Sequence, residues 1–394
     1  MIFSHRYDKL NLSHEACELS CQEAISAMKK IAAVLVTVLS LSCAALAADK
    51  PQVTIYTSMY EDIIEAMTGV LQEKFPQYDI EFFYGGTGTL QSKIAAERES
   101  KKLGCDMLMV ADPSYALELK AAGLLHPYVS KESANIAFEY DPEGYWYPVR
   151  VSNMILAYNP EKYKAEEVPH TFKDFAYDAS LAGLISMSNP LTSGTALDTI
   201  SALKDKYGYE YYDKLAANRV MVESGSVALT KLETGECKVI MILEESVLKK
   251  REEEGSAITV IYPDDGTICV PSPIMTVKDE WSAHGNAKIC EELTDWFLSP
   301  EGQKHIVKAW MHSVRKDAPQ APFDAIPTAE IVAKSMPVSW QHCVDERPEL
   351  RTNFEERVKN KKYANRLKQI FCFVLNWNYR AKKARTKDQE VIRK

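Results

Sequence analysis

Apolar positions recur along this chain in two rhythms. "QVTIYTS" (52–58) alternates β-branched and polar residues and predicts a strand. Residues 59–76 follow with apolar positions at Ile63, Ile64, Met67, Val70, Leu71 and Phe75, one face of a helix, and Pro76 ends it. "YDIEFFY" (78–84) reads as the next strand, and "YGGTGTLQSKIAAE" (84–97) opens a helix running to about Leu103. A strand over 105–111 and a helix over 114–123 with Gly123 as C-cap complete the first series. Strands alternating with helices predict an α/β fold with a mostly parallel sheet covered on both faces.

The run "YWYPVRVSNMILAYNP" (145–160) breaks that alternation and predicts a long crossover strand, the natural hinge of a two-lobed α/β protein. The alternation then restarts. Strands are expected at 181–190, 218–224 and 237–243, and helices at 192–208, 225–236 and 244–255. Segments 257–263 and 266–277 read as extended and able to return toward the first lobe, and 288–310 as a helix pair broken at Ser299-Pro300.

Four strand ends run into polar, small-residue helix starts: Thr57-Ser58, Gly86-Thr87-Gly88-Thr89, Thr192-Ser193-Gly194-Thr195 and Ser224-Gly225-Ser226. A helix N-terminus presents unpaired N–H groups and the positive end of the helix dipole. Two starts precede the hinge and two follow it. The carboxyl ends of strands in such a sheet face a common crevice, so the four together predict an anion clamp. Arg150, in the crossover, could add charge to it or form a lobe-to-lobe ion pair.

Composition and charge narrow the partners. The 394 residues are 46% hydrophobic, enough for a sizeable core, and the net charge is −8, which argues against a nucleic-acid partner. The charge is uneven, because residues 357–394 hold 13 Lys/Arg against 2 Asp/Glu. That basic tail is either an amphipathic membrane-touching helix or an extension without a part in function. "MKKIAAVLVTVLSLSCAALAADK", from Met28, has the basic start, apolar run and Ala45-Leu46-Ala47 cleavage site of an export signal. Translation is read as starting at Met28. Lipid attachment at Cys43 is disfavoured because Ser40 stands where an apolar residue is needed. The protein is expected to be periplasmic.

The nine cysteines, at 17, 21, 43, 105, 237, 269, 290, 343 and 372, show no metal-binding spacing, so no metal or cofactor is expected, and the six beyond the signal read as buried thiols with at most one bridge. Gly85 and Gly86 lead to Lys93 without the P-loop pattern, and Gln91 takes the third glycine place of the dinucleotide motif. No nucleophile elbow or H-E-x-x-H is present. A secreted phosphate-ester enzyme therefore has no visible machinery and stands as the alternative from another class.

"VTIYTS", "YGGTGTLQSKIAAE", "YPVRVSNMILAYN", "SNPLTSGTAL" and "LETGECKVIMILEES" occur in this order. Across residues 51 to 345 they resemble the extracellular solute-binding proteins of ABC importers, in the branch that includes ferric-ion, hexose-phosphate and 2-aminoethylphosphonate binders. The resemblance implies a type II-like periplasmic-binding-protein fold. Each of its two lobes is a mostly parallel sheet flanked by helices, and crossover strands act as hinges. It implies a small solute as ligand, a permease in the inner membrane as partner, a monomer, and no catalysis. Lobe one is expected at 48–150 plus about 268–310, and lobe two at 151–267. A helical segment at 311–356 packs on the body, the basic tail is 357–394, and 1–47 precedes the mature chain.

The ferric binders resemble one another in a Tyr-Tyr pair after the strand that follows a turn like Thr234-Gly235-Glu236. Here Glu244-Glu245 stands in that place, which favours a phosphorylated or phosphonate solute. Its phosphate would sit at the helix starts, and its hydroxyls or amine would meet one of the two carboxylates. Ferric iron held by carboxylates is the alternative ligand. Tyr211-Tyr212 reads as ordinary packing, and Tyr56, Tyr84 and His126 as weaker cleft candidates.

Overall fold

The computed structural model describes residues 50–318 and 321–360, and everything below lies in the compact unit that begins at Gln52. The export signal, Cys43, Cys372 and residues 361–394 of the tail lie outside the described residues. The first series is β1 (Gln52–Thr57), α1 (Glu61–Lys74), β2 (Asp79–Tyr84), α2 (Thr87–Glu99), β3 (Met107–Met109) and α3 (Pro113–Ala121). β4 (Tyr147–Tyr158) crosses over. The second series is α4 (Phe172–Tyr177), β5 (Ile185–Ser188), α5 (Gly194–Tyr207), α6 (Glu210–Ala217), β6 (Met221–Glu223), α7 (Gly225–Thr234), β7 (Val239–Leu243) and α8 (Glu244–Glu254). Then come β8 (Thr259–Ile261), β9 (Ile268–Thr276), α9 (Ala287–Leu298), α10 (Pro300–Lys308), α11 (Thr328–Lys334), α12 (Trp340–Asp345) and α13 (Arg347–Phe354), which runs on as a π turn to Asn360.

These strands form one sheet in the order β2-β1-β3-β9-β4-β7-β5-β6, with β8 beside β4. Each wing is parallel: β2, β1 and β3 on one side, β7, β5 and β6 on the other. Between them β3–β9, β9–β4 and β4–β7 pair antiparallel. Helical crossovers impose the parallel wings. The two long strands β4 and β9 join the wings. All twelve residues of β4 are buried, which explains why its run reads as nearly continuous apolar sequence.

Each wing carries its own core. Val53, Ile55 and Met107 pack with Trp296 and Phe297 of α9, while Leu108 and Tyr115 form a second cluster on the opposite face. In the other wing Phe172, Met187, Tyr211 and Tyr212 share a core with Leu350 and Phe354 of α13. Burying a side chain of this size contributes about 1.5–3 kcal/mol. The Tyr211 and Tyr212 hydroxyls donate to the carbonyls of Phe172 and Ile200 at 2.9 and 3.0 Å, so the pair is packing.

Some local expectations shift. The first helix begins at Glu61 with Tyr60 as N-cap, three residues beyond Ser58, because Thr57 Oγ1 takes the Met59 N–H at 3.2 Å and holds 57–59 in a turn. The helix expected to reach Leu103 stops at Glu99, where a turn passes through Lys101 at φ 57°. Only 185–188 of the expected 181–190 strand pairs, since 179–181 form a 3-10 turn. Ala122, not Gly123, caps α3, and Gly123 follows at φ 70°. The described cysteines 105, 237, 269, 290 and 343 are free thiols.

Candidate functional site

A cavity of about 670 Å³ opens where the carboxyl ends of the two parallel wings face each other. From lobe one it takes Ser58, Gly86, Thr87 and Thr89, and from the crossover Arg150. From lobe two it takes Ser193, Gly194 and Thr195 at the start of α5, Ser224, Gly225 and Ser226 at the start of α7, and Glu245 at the start of α8. Residues far apart in sequence thus meet in one place.

The two lobe-two starts are copies of one device. Ser193 Oγ accepts from the Ala196 N–H at 3.3 Å and pairs with Thr195 Oγ1 at 3.1 Å. Ser224 Oγ accepts from the Val227 N–H at 3.4 Å and pairs with Ser226 Oγ at 3.1 Å. Each serine is an N-cap, and the first N–H groups behind it have no intrahelical acceptor. In lobe one α2 starts at Gly86 without a side-chain cap.

The glycines of this region serve lobe contact. The Gly88 N–H donates to Thr192 O at 3.0 Å across the cleft, and a Cβ on Gly88 would stand 2.7 Å from Leu191 O. A Cβ on Gly194 would stand 2.5 Å from Ala111 O. Ser246 Oγ donates to the Tyr60 hydroxyl at 3.3 Å, and Lys249 pairs with Asp62. These contacts tie the two sides of the cleft together.

Arg150 is the electrostatic centre. The β4–β9 register slips between Pro148 and Arg150, and such an irregularity re-aims a side chain. Arg150 is 3% exposed, yet no carboxylate among the described residues lies within 4 Å of it. Its NH1 meets Met311 Sδ at 3.0 Å, NH2 reaches Ser58 Oγ at 3.5 Å, and Nε has no partner. Burial pulls its pKa down, and the nearby Glu245 charge opposes that.

Glu245 is also buried, and it accepts from Ser152 Oγ at 3.3 Å and from a backbone N–H at the start of α8. Burial pushes its carboxyl up to about 7, with Arg150 pulling the other way. Burial and the Glu245 charge push the Tyr60 phenol up to about 12.

Three expected site residues stand behind the wall. Thr57 Oγ1 donates to Met109 O at 3.1 Å. Gly88 is covered by the 191–192 loop. Glu244 accepts from Asn153 Nδ2 at 2.9 Å, from the Tyr262 hydroxyl, and lies 3.0 Å from His312 Nε2. Of the weaker candidates, Tyr84 lines the cavity. Tyr56 donates to Glu97 and His126 contacts Glu291 instead.

Sequence reasoning missed Tyr60, Asn189, Lys249 and Trp310 in the lining. Tyr60 was signalled only as the residue before an acidic helix start. Trp310 had no local signal. It stands in the left-handed region at φ 60°, unusual for a bulky residue, with Nε1 donating to Glu252 at 2.6 Å.

Residues 105–341, more than half of the chain, match the bacterial extracellular solute-binding proteins. The chain belongs to this family. Solute binding is therefore its general function, outside the cytoplasm. Among the described residues no helix is long and apolar enough to cross a membrane. No match is found among curated protein sequences. The solute-binding protein is similar in structure to AfuA from Actinobacillus pleuropneumoniae with exogenous fructose-6-phosphate bound (TM-score 0.68, 22% identity, 78% of this chain and 98% of that one). It is also similar to iron-bound HitA from Pseudomonas aeruginosa (TM-score 0.66, 22% identity, 77% and 99%) and to a periplasmic thiamin binding protein (TM-score 0.67, 15% identity, 78% and 96%). Likeness at these identities carries the periplasmic-binding-protein fold.

Proposed function

We propose that this protein is the solute-binding component of an ABC importer. It closes its lobes on a small organic phosphate or phosphonate and delivers it to an inner-membrane permease, acting as a periplasmic monomer after cleavage of its export signal. The observation that carries this reading is Arg150: a buried guanidinium without an ion-pair partner facing a polar cavity. A buried charge without a hydrogen-bonded counter-ion is costly, and an anionic solute supplies one. Thr87, Thr89 and Ser58 would meet that anion from lobe one. Ser193, Gly194 and Thr195, with Ser224, Gly225 and Ser226, would meet it from lobe two through hydroxyls and open N–H groups. Glu245 would face the solute's hydroxyl or amino end. AfuA, with fructose-6-phosphate bound, is a structural relative consistent with this class.

The ferric alternative has less to build on. Glu244 is committed to the wall, and no group of three His, Cys, Asp or Glu suited to a metal occurs among the described residues. The test is a thermal-shift screen of the mature protein after unfolding and refolding to strip carried solute. Fructose 6-phosphate, glucose 6-phosphate, 2-aminoethylphosphonate, inorganic phosphate and ferric citrate are added separately. A ligand at a hundred times its Kd adds about 2.7 kcal/mol. A shift of several degrees with an organic phosphate or phosphonate is expected. A shift with ferric citrate alone contradicts the reading.

A further inference from the structure

Asp198 lies on α5, one turn behind Thr195 of the cavity wall. It is fully buried, and neither carboxylate oxygen accepts a hydrogen bond of normal geometry. Such a group needs a proton or a nearby cation. The Arg347 charge acts on it without an ion pair being made. Arg347 opens α13, whose Leu350 and Phe354 share one core with Leu197 and Ile200 of α5, so Arg347 and Asp198 are rooted in the same lobe. Yet Arg347 serves the other lobe. Its NH1 donates to Asp112 Oδ2 at 2.9 Å and NH2 donates to Ser114 Oγ at 2.6 Å, while Nε has no partner. Asp112 caps α3 directly after Ala111 of the cavity wall. The Glu118 carboxylate of α3 lies 3.9 Å from Arg347 NH2 as well, so every ion pair of this guanidinium is made across the cleft and none with Asp198.

We propose that Arg347 is a two-position latch for the solute cleft, paired with Asp112 while the lobes are closed and handed to Asp198 when lobe one swings away. Asp112 tolerates the loss. It keeps the Gln91 amide at 2.8 Å, the Ser114 hydroxyl at 2.5 Å, the Tyr115 N–H at 3.1 Å and the positive end of α3. Asp198 gains the partner it lacks. Exchanging one ion pair for another keeps the open and closed states close in free energy, as capture and release both require. Arg347 and Asp198 line no part of the cavity, so they act as positioning residues.

The groups facing Asp198 are Asp112 from α3, Arg347 from α13 and the Cys343 thiol from α12. Burial, then the Asp112 charge, push its carboxyl well up, and pairing with Arg347 would bring it down, so opening releases a proton wherever the two states differ. Rising pH therefore favours the open state.

The latch rests on the reading of the cavity as a closing solute cleft, and its test needs no solute. Spin labels at Glu73→Cys and Thr234→Cys, both exposed, read the distance between the lobes in the stripped mature protein. Asp198→Asn leaves the closed state intact but cannot receive Arg347, so the closed-to-open ratio should rise about tenfold, and its dependence on pH should vanish. Asp112→Asn should lower that ratio about tenfold. Arg347→Lys should retain two populations that Arg347→Met loses. An Asp198→Asn distribution identical to wild type at every pH overturns the latch, as does a single unchanging distance in all variants. Should Asp198→Asn fail to fold, the wild-type distances across pH decide: an open population that rises with pH supports the latch, and one that ignores pH overturns it. A null result in the solute screen leaves this measurement standing, so the two failures are separable.

Discussion

Glu244 and Glu245 are neighbours at the start of α8, yet they live in opposite conditions. Glu244 is saturated. Asn153, Tyr262 and His312 bond its two oxygens, and the far His312 nitrogen lies 2.9 Å from Thr328 Oγ1. Glu245 has one long side-chain bond, from Ser152, and a cavity in front of it. The alternation of β4 helps to separate them, since Ser152 and Asn153 point to opposite faces of the sheet. Both carboxylates are buried, so burial does not distinguish them. What does is satisfaction. A polar group whose bonds are all made within the chain is holding the fold, and one left short at a cavity wall is available to a ligand. Arg150 is the cationic member of the second kind.

The comparison can be broken in graded steps. Glu244→Ala should be the most damaging change, because it strands the buried Asn153 and His312 and takes the acceptor from the half-buried Tyr262. A loss of about 3–5 kcal/mol is expected in urea denaturation, and a loss under 1 kcal/mol would mean the network is not structural. Gly194→Ala should act on closure, its Cβ meeting Ala111 O at 2.5 Å. Affinity for the solute that emerges from the screen should fall about tenfold, or 1.4 kcal/mol, with little change in melting, as read by calorimetric titration. Glu245→Gln should be mild and visible mainly in pH dependence. The folded carboxyl, at about 7, lies above its ordinary 4.5, so the folded state binds the extra proton between those values. Its contribution to stability is therefore largest at acid pH, falls as pH rises from about 4.5 through about 7, and is flat beyond. Denaturation curves of Glu245→Gln across that window should lack this slope. An unchanged slope would place the titration elsewhere.

Much of this arrangement was legible beforehand because strand and helix rhythms are local. The crossover at 145–160, the restart after it and three of the four polar helix starts follow from spacing within short windows, while Thr57-Ser58 lies in a turn before the first helix. The roles within those starts were not legible. Gly88 reads as room for an anion, but the 191–192 loop of the other lobe fills that room. Thr57 reads as a donor, but β3 takes its hydroxyl. Which glutamate faces the cleft depends on His312 and Tyr262, which approach from distant segments. Trp310 enters the wall through a left-handed turn after α10 that no spacing signals.

The measurement closest to the central claim is a calorimetric titration of stripped wild type and Arg150→Met with the panel of organic phosphates and phosphonates. The account predicts saturable binding of at least one of them to wild type. It also predicts a loss of at least about 100-fold in Arg150→Met, equivalent to about 2.7 kcal/mol, with melting unchanged or raised because an unpaired buried cation is gone. Equal affinity in the two proteins would contradict it.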